Sequence, residues 1–291
     1  MDRDYIFGVI GGDMRQVKLI QMLAAENYRV NICGFENCEE DFDNTVICSD
    51  LETAVRNSDC VILGLPYSSD DLLITAPYAD TLMTLEELYA SLQPNQLLVG
   101  GKLNASVYAA ALQKGCKAVD YFLREELAVE NAVPTAEGTI QIMMEELPIT
   151  IQRSKCLITG YGRIGKILAQ RLAALGADVA VAARSVESLA WIKANGYKPL
   201  QILRRENLVG RYDAIINTIP TLLFDAHVLE QIPANTLLID LASKPGGIDF
   251  NAAAMLNLKV IWALSLPGKV APVTSGEIIK TAIFNIINEE E

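Results

Sequence analysis

The sequence predicts an α/β protein made of two doubly wound parallel-sheet domains joined by a bridging helix. Short apolar runs typical of strands alternate with helical patterns along the whole chain, and the pattern of the first half repeats in the second. A glycine-rich turn follows one such run just past the middle of the chain. With 291 residues, 51% of them hydrophobic, the chain is long enough to form two separate cores.

The first half contains five apolar runs that predict strands. These runs are YIFGVI, YRVNICGF, DCVILGLP, QLLVGG and KAVDY. A Gly11-Gly12 turn links the first run to an amphipathic helix, and the segments TLEELYASL and NASVYAAALQKG read as helices between later runs. We expect residues 1–130 to form an N-terminal, substrate-binding domain.

A bridging helix is predicted from NAVPTAEGTIQIMMEELPIT, which lies between the halves. Pro134 and Thr135 suit the first turn of a helix, residues 137–147 continue it, and Pro148 ends it. We assign this helix to a second domain of residues 131–274.

The second half repeats the alternation and ends in a helix. Its strand-like runs are CLITGYG, DVAVAAR, DAIINTIP, TLLIDLAS and KVIWALSLPG. The last segment, TSGEIIKTAIFNIINEEE, predicts an amphipathic helix with Thr274 or Ser275 as its N-cap. We expect this helix, residues 275–291, to return toward the N-terminal domain.

Gly160, Gly162 and Gly165 form a G-x-G-x-x-G motif directly after a strand-like run and at the start of a helical pattern. In this context the first glycine permits a tight turn, the second lets the backbone approach a pyrophosphate, and the third lets the helix pack closely on its strand. The second domain is therefore predicted to be a Rossmann-like domain that binds a dinucleotide at this turn. The residues between the glycines complete the predicted turn: Tyr161, Arg163 and Ile164.

The end of the next predicted strand favours NADP over NAD. Sites for NAD place a carboxylate there to accept hydrogen bonds from the ribose 2′-hydroxyl. This chain has Arg184 and Ser185 instead. A guanidinium pairs with a 2′-phosphate, so we predict NADP as the cofactor.

Polar residues near the ends of two later strands predict the nicotinamide side of the site, because ligands of open α/β sheets lie beyond the carboxyl ends of the strands. The alternative is that the proline and glycines there only form turns. The candidate cofactor-binding residues are Asn217, Thr218, Ile219, Pro220, Asp240 and Ser243.

Four cations follow strand-like runs at Gly-rich or Pro-rich turns, two in each half. In an acidic chain, cations gathered at strand ends facing one cleft would focus a positive potential there, which suits a small dicarboxylate. For any one of them the alternative is a solvated turn residue. The candidate substrate-binding residues are Arg15, Lys102, Lys244 and Lys269.

Acid and base candidates are few. The single histidine, His227, lies at the start of a short predicted helix and reads as a cap or surface residue. Glu125 and Glu137 are available carboxylates, although both also suit a helix surface. We take Lys102, Glu137 and Lys244 as the catalytic candidates.

Composition excludes several classes of function. The formal charge of −12 and the lack of a basic stripe argue against nucleic acid as a partner. The apolar runs are too short for a membrane span, and the six cysteines are dispersed and read mostly as buried thiols. We expect a cytoplasmic protein without a metal site.

Six segments together resemble the family of the dipicolinate synthase A-subunit: VIGGDMRQ, NAVPTAEG, GYGRIG, INTIP, DLASKPGG and LPGKVAPVTSG. The resemblance implies oxidation of a dihydrodipicolinate-type intermediate of the lysine pathway to pyridine-2,6-dicarboxylate during sporulation. It also implies the flavoprotein B-subunit of dipicolinate synthase as partner, a homo- or hetero-oligomer, and the cytoplasm of the mother cell. A hydride would pass to NADP while a base or solvent takes a proton.

Two other functions remain open from the sequence. One is an NADP-dependent oxidoreductase of another small acid, of the shikimate dehydrogenase type, which needs a lysine–aspartate pair. Lys102 could be that lysine, but no aspartate clearly matches it. The other is a non-catalytic nucleotide-binding scaffold for a flavoprotein partner.

Overall fold

The computed structural model describes residues 4–290, and these divide into two compact units. The first unit contains residues 4–131 and 271–290, and the second contains Ala132–Val270. Each unit has one six-stranded parallel sheet surrounded by helices. The predicted fold class, two Rossmann-like α/β domains, is confirmed.

The first unit alternates strands and helices from its start. Its strands are β1 (Ile6–Ile10), β2 (Arg29–Cys33), β3 (Val46–Ile47), β4 (Cys60–Leu63), β5 (Leu97–Gly100) and β6 (Lys117–Asp120). Its first four helices are α1 (Met14–Ala25), α2 (Leu51–Arg56), α3 (Leu85–Ser91) and α4 (Ala105–Gln113).

The sheet of the first unit has the order β3-β2-β1-β4-β5-β6, and every pair is parallel. Along β4, Cys60 and Ile62 belong to one apolar core, while Val61 and Leu63 belong to another. Because alternate residues point to opposite faces of a sheet, both faces are covered. This explains why the run CVILGLP is apolar throughout instead of alternating.

The second unit has the same plan. Its strands are β7 (Lys155–Thr159), β8 (Asp178–Ala183), β9 (Lys198–Gln201), β10 (Ala214–Asn217), β11 (Leu237–Asp240) and β12 (Val260–Trp262). The helix α5 (Glu125–Glu146) enters it, followed by α6 (Arg163–Ala174), α7 (Val186–Ala194), α8 (Ala226–Leu229), α9 (Phe250–Met255) and α10 (Leu266–Val270).

The second sheet has the order β12-β11-β10-β7-β8-β9, which is the order of the first sheet counted from the unit's own first strand. The strand order reverses between β7 and β10, next to the glycine turn. In doubly wound sheets, ligands bind at this switch point beyond the carboxyl ends of the strands. The topology therefore places the glycine motif where a nucleotide binds.

Two strands, β3 and β9, are absent from the sequence prediction. Both lie at the edge of their sheet and pair on one side only. The side chains of β3 are exposed, and β9 reads KPLQ. An edge strand of this kind buries little, so it lacks the apolar run by which strands are detected.

The bridging helix begins earlier than predicted. It starts at Glu125, so Pro134 lies inside it instead of in its first turn. Two glutamates in the first turn, Glu125 and Glu126, favour this start because anionic side chains stabilise a helix N-terminus. The helix thus crosses the boundary between the units at residue 131.

The C-terminal helix α11 (Pro272–Glu290) also starts earlier than its predicted caps. The backbone N–H of Ser275 donates to the carbonyl of Ala271 at 2.9 Å, so Ser275 is already inside the helix. The helix packs on α1 within the first unit. A Cβ on Gly276 would lie 2.7 Å from the Arg15 carbonyl, so only glycine permits this approach.

Candidate functional site

The glycine turn of the second unit joins β7 to α6. Gly160 has a φ of +99°, a conformation that favours glycine. A Cβ on Gly165 would lie 2.2 Å from the Gly160 carbonyl oxygen. The turn and the close approach of helix to strand therefore both require glycine.

Gly162 is the N-cap of α6, and its surroundings are open. Within the described chain no side chain caps the helix, and no atom lies within 4 Å of a Cβ built on Gly162. Uncapped backbone N–H groups at a helix start form an anion site, and a glycine there lets the anion approach the backbone closely. The turn therefore fits the pyrophosphate of a dinucleotide.

The corresponding turn in the first unit is filled by protein groups. The Gly12 N–H donates to the Thr75 carbonyl at 2.7 Å. The Asp13 carboxylate caps α1 and accepts the backbone N–H of Arg15 at 3.0 Å. A phosphate there would meet a carboxylate, so this turn lacks the anion site of the second unit.

Arg184 and Ser185 directly follow β8, and both are exposed. The backbone carbonyl of Arg184 accepts a hydrogen bond from the Gln201 side chain at 3.3 Å. The Arg184 guanidinium bonds to no other residue of the described chain. Ser185 is the N-cap of α7, and its hydroxyl oxygen accepts the Ser188 N–H at 3.1 Å. A guanidinium and a helix N-terminus thus lie side by side at this strand end.

The side chains between the three glycines have different surroundings. The half-buried Tyr161 accepts a hydrogen bond from Asn195 at 3.3 Å, and burial raises the pKa of its phenol. Ile164 packs against the core of the second unit. Arg163 is the exposed first residue of α6. These positions leave the backbone of the turn as its anion-binding feature.

Three neighbouring strands end in buried polar residues that bond to one another. The β-sheet register sets Asn217 beside both Thr159 and Asp240. The Thr159 hydroxyl donates to Asn217 Oδ1 at 2.7 Å, and Asn217 Nδ2 donates to Asp240 Oδ1 at 2.8 Å. Asn217 and Asp240 have no exposed surface. Both side chains therefore hold the strand ends together from inside the unit.

The remaining predicted cofactor residues surround this buried chain. The Thr218 hydroxyl donates to the Thr159 carbonyl at 2.8 Å and occupies the space that a Cβ on Gly160 would need. Ile219 is half-buried, while Pro220 and Ser243 are exposed. The exposed pair and the Thr218 backbone lie at the carboxyl edge of the sheet, on the same edge as the glycine turn.

Lys244 and Lys269 follow the neighbouring strands β11 and β12, and both are exposed. Lys244 lies in a loop, as predicted. Lys269 lies in the last turn of α10 instead of a free turn. A cation in the last turn of a helix is favourable for the helix itself, which adds a structural reason for Lys269.

Arg15 and Lys102 follow β1 and β5 in the first unit. Arg15 is buried, and its guanidinium donates to Asp13 at 2.7 and 2.8 Å and to the Leu65 carbonyl. Lys102 is exposed, with its Nζ 5.3 Å from the centre of the Phe122 ring. Arg15 is thus partly neutralised, whereas the Lys102 ammonium is accessible.

Asp120, which bonds to the Lys102 backbone, does not pair with the Lys102 ammonium. The buried Asp120 carboxylate accepts the backbone N–H groups of Lys102, Leu103 and Phe122 at 3.1, 2.9 and 2.8 Å. These bonds fix the loop after β5. The lysine–aspartate pair of the shikimate dehydrogenase type is therefore not formed at this position.

Glu137 lies in the middle of α5, not at its start, and forms a 3.4 Å ion pair with Arg171. Arg171 is in the last turn of α6, roughly 12 Å along that helix from Arg163 at 1.5 Å per residue. This position counts against the catalytic role predicted for Glu137. His227 is exposed on α8.

The sequence reasoning missed Thr159 and Gly247. Thr159 begins the buried polar chain, and the Gly247 N–H donates to Asp240 Oδ2 at 2.7 Å. A threonine ending the apolar run CLIT was the available signal for the first. For Gly247 there was no signal beyond a turn, because its partner is set by the strand register.

Two classes of feature are absent from the described chain. Among residues 4–290, no helix has the length and hydropathy needed to cross a membrane. Across that same range, no three His, Cys, Asp or Glu side chains gather in a group that could hold a metal ion.

Comparison with known families matches both units. The family described as the N-terminal domain of the dipicolinate synthase A-subunit matches residues 6–122. The family described as D-isomer specific 2-hydroxyacid dehydrogenase, NAD binding domain, matches residues 122–249. The second unit therefore contains a nicotinamide-nucleotide-binding domain of the dehydrogenase type.

Individual relatives match along almost the whole chain. The dipicolinate synthase A-subunit of Bacillus subtilis (strain 168) is 33% identical over 282 residues, which cover 97% of this chain and 95% of that protein. The crystal structure of the A-subunit from Bacillus halodurans has a TM-score of 0.88 at 30% identity, covering 98% of this chain and 97% of its own. The crystal structure of the Bacillus subtilis protein also has a TM-score of 0.88, at 32% identity, covering 99% and 97%.

Proposed function

Because this chain belongs to the family of the dipicolinate synthase A-subunit, we propose that it oxidises a dihydrodipicolinate-type intermediate to pyridine-2,6-dicarboxylate with NADP. The observation that carries the proposal is the open, uncapped glycine turn at the start of α6. A nucleotide-binding scaffold that catalyses no reaction would not need the cations that follow the neighbouring strands.

The residues that would hold NADP lie along the carboxyl edge of the second sheet. The backbone of the turn from Gly160 to Gly165 binds the pyrophosphate, and Arg184 with Ser185 binds the 2′-phosphate. The Thr218 backbone and Ser243 orient the nicotinamide. When bound, the nicotinamide supplies the hydride acceptor of the oxidation.

The substrate carries two carboxylates, which we propose are bound by cations at the strand ends. In the second unit these cations are Lys244 and Lys269. Lys244 holds the carboxylate next to the ring carbon that loses hydride, while the accompanying ring proton passes to solvent. Formation of the aromatic ring favours the reaction.

The name of the family implies a second, B-type subunit as partner. We propose that this partner is a flavoprotein and that the two proteins work as a complex in the mother-cell cytoplasm during sporulation. In this arrangement the present chain carries out the oxidation with NADP.

The proposal is tested by mixing the isolated chain with NADP and the lysine-pathway intermediate, and by following the absorbance of reduced nicotinamide. We expect NADPH to form with the wild type and to form more slowly with Arg184→Ala. With NAD in place of NADP, NADH should form more slowly than NADPH does. Activity that needs the flavoprotein and survives Arg184→Ala would instead support the scaffold function.

A further inference from the structure

We propose that Asp240 is a positioning residue that fixes the Lys244-bearing loop, residues 242–247, for binding of a substrate carboxylate. The inference rests on the proposed function, because it concerns how Lys244 is held in the dicarboxylate site. In this role the buried Asp240 positions Lys244 and does not itself contact the cofactor.

The carboxylate of Asp240 holds both ends of this loop. Its Oδ1 accepts the Ala242 N–H at 3.0 Å, and its Oδ2 accepts the Gly247 N–H at 2.7 Å. Between these two anchors, Ser243, Lys244 and Pro245 are exposed. One buried group therefore determines where an exposed segment leaves and re-enters the sheet edge.

A second bond fixes the start of the loop from the neighbouring strand. The indole N–H of Trp262, the last residue of β12, donates to the Ala242 carbonyl at 3.0 Å. Ala242 is thus held through both its N–H and its carbonyl. The loop begins in one orientation, two residues before Lys244.

Close packing also fixes the backbone at the C-terminal end of the loop. Gly246 has a φ of +86°, and a Cβ there would lie 2.8 Å from Asp240 Oδ2. A Cβ on Gly247 would lie 2.3 Å from Asn217 Nδ2. The two glycines let the loop close against the buried carboxylate.

Asp240 is itself fixed relative to the glycine turn. Asn217 donates to its Oδ1 and accepts the hydroxyl proton of Thr159, the residue before Gly160. The chain of bonds therefore links the loop that carries Lys244 to the turn that would bind the pyrophosphate. Substrate and cofactor groups are held from one common, buried set of side chains.

A carboxylate suits this place because it only accepts hydrogen bonds. Three donors converge on Asp240: the Asn217 amide and the two backbone N–H groups. An asparagine would turn its own NH₂ group toward at least one of them. The substitution Asp240→Asn therefore releases an end of the loop with almost no change in volume.

The experiment is calorimetric titration of pyridine-2,6-dicarboxylate into the full chain and its variants. We expect Lys244→Ala and Asp240→Asn each to weaken binding about tenfold, and the double variant to weaken it by no more than the larger single effect. Asp249→Asn is the matched control. It loses a carboxylate that accepts the Ala252 N–H at 3.0 Å and has no hydrogen bond to the loop within the described chain, and its affinity should match the wild type.

Additive losses, about a hundredfold in the double variant, would show that Asp240 does not act through Lys244. Wild-type affinity in Asp240→Asn would overturn the inference while leaving the proposed function intact. If the wild type itself does not bind the dicarboxylate, the proposed function fails and the inference fails with it.

Hydrogen exchange of the wild-type chain tests the anchors even if Asp240→Asn does not fold. The Ala242 and Gly247 amides should exchange much more slowly than the Lys244 amide between them. Equal exchange at all three amides contradicts the proposed positioning.

Discussion

At the scale of single residues, the second unit places its polar groups at the last position of its central strands. Thr159, Asn217 and Asp240 each end a run of buried apolar residues, and all three are buried themselves. Unpaired polar groups at such depth would be costly, so the strand register that pairs them also stabilises the sheet edge.

The second and third glycines of the motif should respond differently to alanine. Gly162→Ala should cost only about 0.5–1 kcal/mol of unfolding free energy, because alanine is a poorer N-cap than glycine, but it should weaken NADP binding, because its Cβ enters the space needed by the pyrophosphate. Gly165→Ala should cost about 1–3 kcal/mol, because its Cβ overlaps the Gly160 carbonyl. Urea unfolding and calorimetric NADP titration measure the two effects, and equal losses of stability would contradict this division.

Buried thiols should make the protein less stable at alkaline pH. Burial is the main cause that raises the pKa of Cys156 from its ordinary value of 9.0 to about 11. A thiol whose pKa is higher in the folded than in the unfolded state stabilises the fold fully at any pH below its unfolded-state pKa. The stabilisation by Cys156 is therefore lost as pH rises from 9.0 toward 11.

The test compares the free energy of unfolding of the wild type and Cys156→Ala across that pH range. We expect the alanine variant to be less stable at neutral pH because of its cavity, but to lose less stability as pH rises. Parallel pH curves for the two proteins would show that the thiol does not contribute.

The glycine turn and the place of Arg184 directly after a strand were predictable from the sequence, because the motif fixes the glycines and the apolar run fixes the end of the strand. The partners of Asn217 and Asp240 were not, because they depend on which strands are neighbours. The position of Glu137 was also missed, since the predicted start of its helix was wrong.

At the scale of elements, α11 completes the core of the first unit although it lies at the other end of the sequence. Its buried face packs with α1 and β1 in one apolar cluster. That face consists of Ile278, Ile279, Ala282, Ile283, Ile286 and Ile287. The first unit therefore depends on a segment that follows the second unit in the chain.

Ile283→Ala should destabilise the first unit by about 2–4 kcal/mol, because it removes a side chain that is 1% exposed. The control Val273→Ala, at a position 53% exposed on the same helix, should change stability by less than about 0.5 kcal/mol. Urea unfolding followed by circular dichroism measures both. If the two variants unfold alike, α11 does not contribute to the core in this way.

The sequence predicted most elements but not their weak ends. Long apolar runs identified the central strands, whereas β3 and β9 were missed because edge strands bury little. The rule that proline favours the first turn misplaced the start of α5, where Pro134 is internal, although it holds for α11, which begins at Pro272.

At the scale of the whole molecule, two units with the same strand order have different turns after their first strands. In the first unit, Asp13 and the Thr75 carbonyl occupy the donors of the turn. In the second, the Gly162 turn is open. One topology thus has a filled turn in the first unit and an open turn in the second, a difference that composition and strand pattern do not contain.

Calorimetric titration of the wild type and Arg184→Ala with NADP and NAD tests whether the second unit binds NADP through Arg184. The expected result is that NADP binds the wild type more tightly than NAD by roughly 2 kcal/mol, about thirtyfold, and that Arg184→Ala removes the difference. Tighter binding of NAD, with the exposed Glu187 in the first turn of α7 accepting the ribose hydroxyls, would contradict it, as would no binding of either nucleotide.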